Sequence, residues 1–195
     1  MTESIALLVF AFAGLFSPGP NVVMLTASGA RFGFRRTLPH LLGVPVGVGL
    51  LAGLSGFGIG ASVLAVPSLT LGLQILAALW ILWLAFKTAR AARAGRASDT
   101  DKPFTFFQAV TFQVVNPKVW AVTIAAAAGF GIGLSPALEA LRLGLVFLVL
   151  NSFVCLFWTS AGHLLSSLLR SDKAWRTFMS VMAVAMASSV ILIFI

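Results

Sequence analysis

The sequence predicts an all-α integral membrane protein, with six transmembrane helices arranged as two inverted three-helix repeats and helices 1 and 4 broken by proline. Three observations point there. The 195 residues are 59% hydrophobic and 9% charged, with a mean hydropathy of +1.05, well outside the range of soluble domains. The apolar runs are long: no Asp, Glu, Lys or Arg interrupts Ile5–Ala30 or Thr37–Phe86. Without water to satisfy backbone groups, such runs cross as helices, since barrel strands need only about 10 residues. Finally, prolines interrupt two of the runs in corresponding places.

Taking about 20 apolar residues per crossing, the spans fall at Glu3–Ser28, Leu38–Val63, Leu69–Phe86, Phe104–Gly131, Leu143–Leu165 and Thr177–Ile195. The second and third come from one run, divided at "AVPSLT" (Ala65–Thr70), where a Pro-Ser turn precedes a new helix start. With Glu3 and no basic segment ahead of the first run, that run reads as a retained helix rather than a secretory signal.

Basic residues set the direction, because Lys and Arg are retained in cytoplasmic loops. Loop 1–2 carries Arg31, Arg35 and Arg36; loop 3–4 carries Lys87, Arg90, Arg93, Arg96 and Lys102; loop 5–6 carries Arg170, Lys173 and Arg176. Of the 13 basic residues only Lys118 and Arg142 lie elsewhere, so both termini are expected outside. The formal charge of +8 is thereby explained as loop charge. No aromatic-interleaved basic surface points to nucleic acid, and the lone Cys155 and the two histidines form no metal cluster. No cofactor is expected.

The polar stretch 87–103 separates repeat 1 (about 3–86) from repeat 2 (about 104–195), within one transporter domain covering 1–195. Three spans per half make the second half enter from the opposite face, as an inverted repeat requires.

The breaks carry the chemistry. In "FSPGPNVVM" (Phe16–Met24), Pro18 and Pro20 cannot donate amide hydrogen bonds and are expected to free the carbonyls of Gly14 and Phe16. Gly19 permits unusual backbone angles, and Pro20-Asn21 can open a new half-helix. In "FQVVNPKVW" (Phe112–Trp120), Pro117 is expected to free the carbonyl of Gln113, and Asn116 adds a polar side chain. Interrupted helices at corresponding positions point to a transporter site, with two positive half-helix N-termini facing each other. Such ends suit a carboxylate, while freed carbonyls and Asn oxygens suit an ammonium group, so a small zwitterion fits. The other reading is a pair of ordinary kinks repaired by neighbouring helices. Lys118 follows the second break at a depth where charge costs about 2.5–3.5 kcal/mol and marks function by default; its alternative is a tether to exposed carbonyls.

These residues resemble the LysE/RhtB family of amino-acid exporters. The likeness runs over the whole chain: "SPGPN", "GVPVGVG" (Gly43–Gly49), "LWLAFK" (Leu82–Lys87) and "NPKVW" (Asn116–Trp120). The fifth helix, "VLNSFVCLFWTSAGHLL" (Val149–Leu165), looks most like the branch of cysteine and O-acetylserine exporters. The resemblance implies export of amino acids or close metabolites across the bacterial inner membrane, driven by the proton gradient. Pro18, Gly19, Pro20, Asn21, Asn116, Pro117 and Lys118 fall on the family's signature motifs. Val48 stands where many members have a polar or acidic residue, and Asn151 where some have aspartate, so proton coupling lacks its obvious carrier.

Asn151 is expected either to line the substrate cavity or to bond another helix. His40 and His163, mapped near cytoplasmic helix ends, are candidates for proton handling or interfacial residues satisfied by water. Cys155 and Trp158 read as packing, and the glycines from Gly43 to Gly60 as small-residue faces for close helix approach. A membrane enzyme would need a nucleophile with a base, paired carboxylates or metal ligands, and none is visible. The leading expectation is an alternating-access carrier of small neutral amino acids or derivatives, with protons as the coupling ion and the bilayer as its setting. A passive channel or accessory subunit is the alternative, and six helices leave so little room for a shielded cavity that a homodimer fits too.

Overall fold

The structure, a computed structural model, describes residues 2–17, 19–59, 65–94, 102–169 and 171–191. Among them lie eight helices and no strand: α1 (Thr2–Phe16), α2 (Pro20–Phe32), α3 (Phe34–Gly56), α4 (Pro67–Ala94), α5 (Phe106–Val115), α6 (Pro117–Gly129), α7 (Pro136–Leu165) and α8 (Asp172–Ser189).

Both expected breaks are present. α1 and α2 bend by 57° across the segment containing Pro18; Pro18 itself lies outside the described residues. α5 ends and α6 begins at Asn116, whose extended backbone (φ −84°, ψ 102°) breaks the helical ladder just before Pro117. Four helices, α2, α4, α6 and α7, open with proline in the first turn, where its missing N–H costs nothing.

By length and hydropathy, two described helices suffice to cross a membrane alone, α3 and α7, and the bent α1–α2 pair, a broken span or a re-entrant loop, brings the count to three if it is one span. Other boundaries differ from expectation. α4 starts at Pro67 itself and runs on to Ala94, so the first part of the expected 87–103 linker is helical. The alanines there favour helix, and the cations lie back along their own helix: Lys87 Nζ sits 4.5 Å from the Trp83 ring centre and Arg90 lies 5.9 Å from that of Phe86. α7 begins at Pro136 rather than Leu143, because the polar pair Glu139 and Arg142 is accommodated inside its first turns. Arg142 donates to Glu139 at 2.7 Å and to the Phe130 carbonyl at 2.6 Å, while Glu139 accepts from the Ile132 N–H at 2.7 Å.

α3 and α7 pack along each other at the centre. α1 and α2 lie on α7, α5 and α6 lie on α3, α4 packs along α8, α2 also meets α8, α4 also meets α5 and α6, and α1 meets α6. Small residues permit the closest approaches. A Cβ on Gly29 would strike the Thr159 carbonyl oxygen, and one on Gly162 that of Thr26, so α2 and α7 touch backbone to backbone. Gly43 and Gly47 face α5, whereas Gly49, Gly53 and Gly56 face α7, so α3 has two small-residue faces. Gly60 lies outside the described residues. Gly33 alone joins α2 to α3 with φ +80°, a conformation that favours glycine.

The outer surface stays apolar, with Val9, Leu79, Leu145, Phe153 and Val184 all exposed. Contiguous apolar surface of this kind suits contact with lipid.

Candidate functional site

The two breaks meet. Asn21, in the first turn of α2, and Gln113, near the end of α5, pair through their amides: Asn21 Nδ2 donates to Gln113 Oε1 at 2.8 Å, and Gln113 Nε2 donates back to Asn21 Oδ1 at 3.2 Å. Gln113 also donates to the Ala109 carbonyl at 2.8 Å and accepts from Asn116 Nδ2 at 3.4 Å. From the start of α6, the Lys118 ammonium reaches the Ser17 carbonyl at the other break.

The carbonyls at the breaks are largely repaired from within. Gly14 O, expected to be free, accepts from Ser17 Oγ at 3.0 Å, and Gln113 O accepts from the Asn116 N–H at 3.1 Å. The helical pattern is lost one residue later than anticipated, and the Val114 carbonyl is taken by the Trp120 indole N–H at 2.7 Å. The tether expected as the alternative role of Lys118 is therefore a real contact, to Ser17.

A small cavity opens between the breaks and α7. Gly19, Asn21 and Val22 line it from α2's start; Asn116, Lys118, Val119, Val122 and Thr123 from α6; Phe147, Asn151, Val154, Cys155 and Trp158 from α7. Neither Gly19 nor Asn116 caps its following helix with a side chain, so both half-helix N-termini, with their partial positive charge, open onto one space. Gly19 leaves room for Lys118, because a Cβ there would come within 2.8 Å of Lys118 Cδ.

Three polar atoms of the lining residues are buried without a hydrogen-bond partner: Asn116 Oδ1, Asn151 Nδ2 and Trp158 Nε1. Each such group left unpaired costs about 1–3 kcal/mol, and a cluster of them calls for an explanation.

Of the residues singled out in sequence, Gly19, Asn21, Asn116, Lys118 and Asn151 line the cavity together. Pro20 and Pro117 occupy the first positions of α2 and α6 and shape the breaks without lining the space. The histidines stay apart from it. His40 is 2% exposed, so it is no water-satisfied interfacial residue, and its ring stands 5.3 Å from that of Phe104. His163 is exposed near the end of α7.

Sequence reasoning passed over Gln113, the hub of the amide cluster, although it stands within the quoted "FQVVNPKVW". Trp158 and Cys155, read as packing, face the cavity, as does Thr123, which accepts from Ser55 Oγ at 3.0 Å. Their recurrence along α7, at Phe147, Asn151, Val154, Cys155 and Trp158, follows the spacing of one helix face.

Two interrupted helices meeting at a mainly apolar cavity that carries a few polar groups, inside an apolar bundle, fit a helical membrane protein of transporter type. The family model LysE type translocator matches residues 12–192, and the chain belongs to that family of membrane translocators. No curated protein and no solved structure matched the chain.

Proposed function

We propose that the protein is a secondary transporter that exports small neutral amino acids or close derivatives across the bacterial inner membrane. Cysteine, O-acetylserine, threonine and homoserine are the compounds to test, with proton antiport and alternating access as the mechanism. The observation that carries this reading is the convergence of both half-helix N-termini, Asn21, Asn116, Lys118 and Asn151 on one cavity.

In this reading the substrate carboxylate sits by the helix N-termini and Lys118, and Asn116 Oδ1 accepts from its ammonium group. With no carboxylate among the described residues that line the cavity and a lysine present, a cationic side chain meets no counter-charge from them. That favours neutral substrates over lysine.

The packing pattern supports six spans in two inverted repeats. Exchanging α1–α2 with α5–α6, α3 with α7 and α4 with α8 carries the α1–α2 contacts on α7 onto the α5–α6 contacts on α3. It likewise carries the α2–α8 contact onto that of α4 with α6, and returns the α3–α7 and α4–α8 contacts to themselves. The contacts of α2 with α3, of α4 with α5 and of α1 with α6 have no counterpart of similar extent among the described residues. Two halves rocking about the cavity would expose it to each side in turn.

The test is uptake of labelled cysteine, O-acetylserine, threonine, homoserine and lysine into inverted membrane vesicles, with and without a proton gradient. Saturable, gradient-dependent uptake of a neutral compound, with counterflow, is expected. Non-saturable flux without counterflow would make the protein a passive channel, and no flux of any compound would overturn the reading.

A further inference from the structure

The cavity holds more hydrogen-bond donors than a bare zwitterion can use. Lys118 and the two uncapped half-helix N-termini are concentrated at the breaks, where they match the lone pairs of a carboxylate. Two neutral donors remain on α7, Asn151 Nδ2 and Trp158 Nε1, both buried and without acceptors. They stand seven residues apart on α7, about 10 Å along its axis, so one carboxylate cannot engage both. Asn151 Oδ1 is already faced by Cys155 Sγ at 3.7 Å, which leaves the amide nitrogen as the Asn151 group facing no partner.

We infer that the α7 wall selects substrates whose side chain carries a hydrogen-bond acceptor, such as a hydroxyl, acyl or amide oxygen, and that the Trp158 indole N–H is a specificity-determining donor. This rests on the proposed transport of neutral amino acids and adds which neutral side chains the site prefers. The chemistry behind it is asymmetric: a buried donor that meets an apolar group stays unpaired, so the site discriminates against the apolar analogue more strongly than area alone would.

The position of Trp158 suits the role. Its ring lies 5.2 Å from Phe16, the last residue of α1 before the break, and 5.3 Å edge-on from Phe157. These contacts fix the indole beside the break, so a phenylalanine in its place keeps the ring packing and removes only the N–H and the second ring.

The experiment compares homoserine with norvaline, which replaces the hydroxyl by a methyl group, in inverted vesicles containing wild-type protein or Trp158→Phe. The readout is the ratio of kcat/KM for the two compounds, which a general loss of folding or expression leaves unmoved. Wild type is expected to favour homoserine, and Trp158→Phe to reduce that preference about five- to tenfold. Asn151→Leu, measured alongside, is expected to lower the same ratio.

A ratio unchanged in both variants, with wild-type transport intact, would mean that water satisfies these donors, and would overturn the inference while leaving the transporter reading in place. A ratio lowered by Asn151→Leu alone would overturn the assignment of Trp158. Failure of wild type to carry either compound, or any neutral amino acid, would overturn both the inference and the reading beneath it.

Discussion

Asn21 and Gln113, ninety-two residues apart in the chain, exchange two side-chain hydrogen bonds at 2.8 and 3.2 Å and so pin the start of α2 to the end of α5. Gln113 is fully buried, and truncating either partner strands an amide in a place with little water. Gln113→Leu is expected to destabilise the protein by about 1–3 kcal/mol. The double variant Asn21→Leu with Gln113→Leu should lose less than the sum of the two singles, because both members of the pair are then gone. Thermal unfolding in detergent of the four proteins checks this.

Lys118 and Asn21 serve the proposed substrate site directly. Lys118→Ala and Asn21→Ala are each expected to abolish vesicle uptake with the protein still present in the membrane fraction in normal amount. Quantifying both flux and inserted protein makes the test; normal flux in both well-inserted variants would remove the cavity as the binding site.

The crossing of α2 and α7 depends on two missing side chains. At Gly29 and Gly162 a methyl group would overlap carbonyl oxygens of the opposing helix. Backbone yields less readily than a side chain, so Gly29→Ala or Gly162→Ala should cost about 1–3 kcal/mol. Gly72→Ala, on α4 where a Cβ meets nothing within 4 Å, should be neutral or stabilising by up to about 1 kcal/mol through better helix propensity. Melting temperatures of the three variants should separate accordingly.

Orientation is testable with the one native thiol buried and out of the way. In a Cys155→Ser background, Ser135→Cys, exposed ahead of α7, is expected to react with a membrane-impermeant maleimide applied to intact cells. Lys173→Cys, exposed in the first turn of α8, should react only after permeabilisation. The reverse pattern would invert the proposed topology.

Both helix breaks were legible because proline acts locally: its missing N–H and its ring interrupt a ladder whatever surrounds it. What each freed group would bond was not legible, since Ser17 Oγ, the Asn116 N–H and the Trp120 indole answer from positions set by the local backbone. Gln113 escaped notice for a related reason: an amide in an apolar run acquires meaning only from the residue opposite it, and Asn21 lies in another helix. The extent of α4 was misjudged because charge was taken to end the helix. Lys87 and Arg90 instead fold back over Trp83 and Phe86. The α7 wall showed its spacing in sequence, but Trp158 and Cys155 are as common in packing as in sites, and only the position of the cavity separates the two.

The single-residue joint at Gly33 has a mechanical consequence. α2 is hinged tightly to α3 there and locked against α7 through Gly29 and Gly162, so these three helices form a rigid frame. α1 stands outside that joint and rests on α6 and α7. The Lys118 ammonium on the Ser17 carbonyl ties the end of α1 to the start of α6. Any shift of α1 would slide it over α6 and α7, whereas a shift of α2 would part the backbone contacts at Gly29 and Gly162.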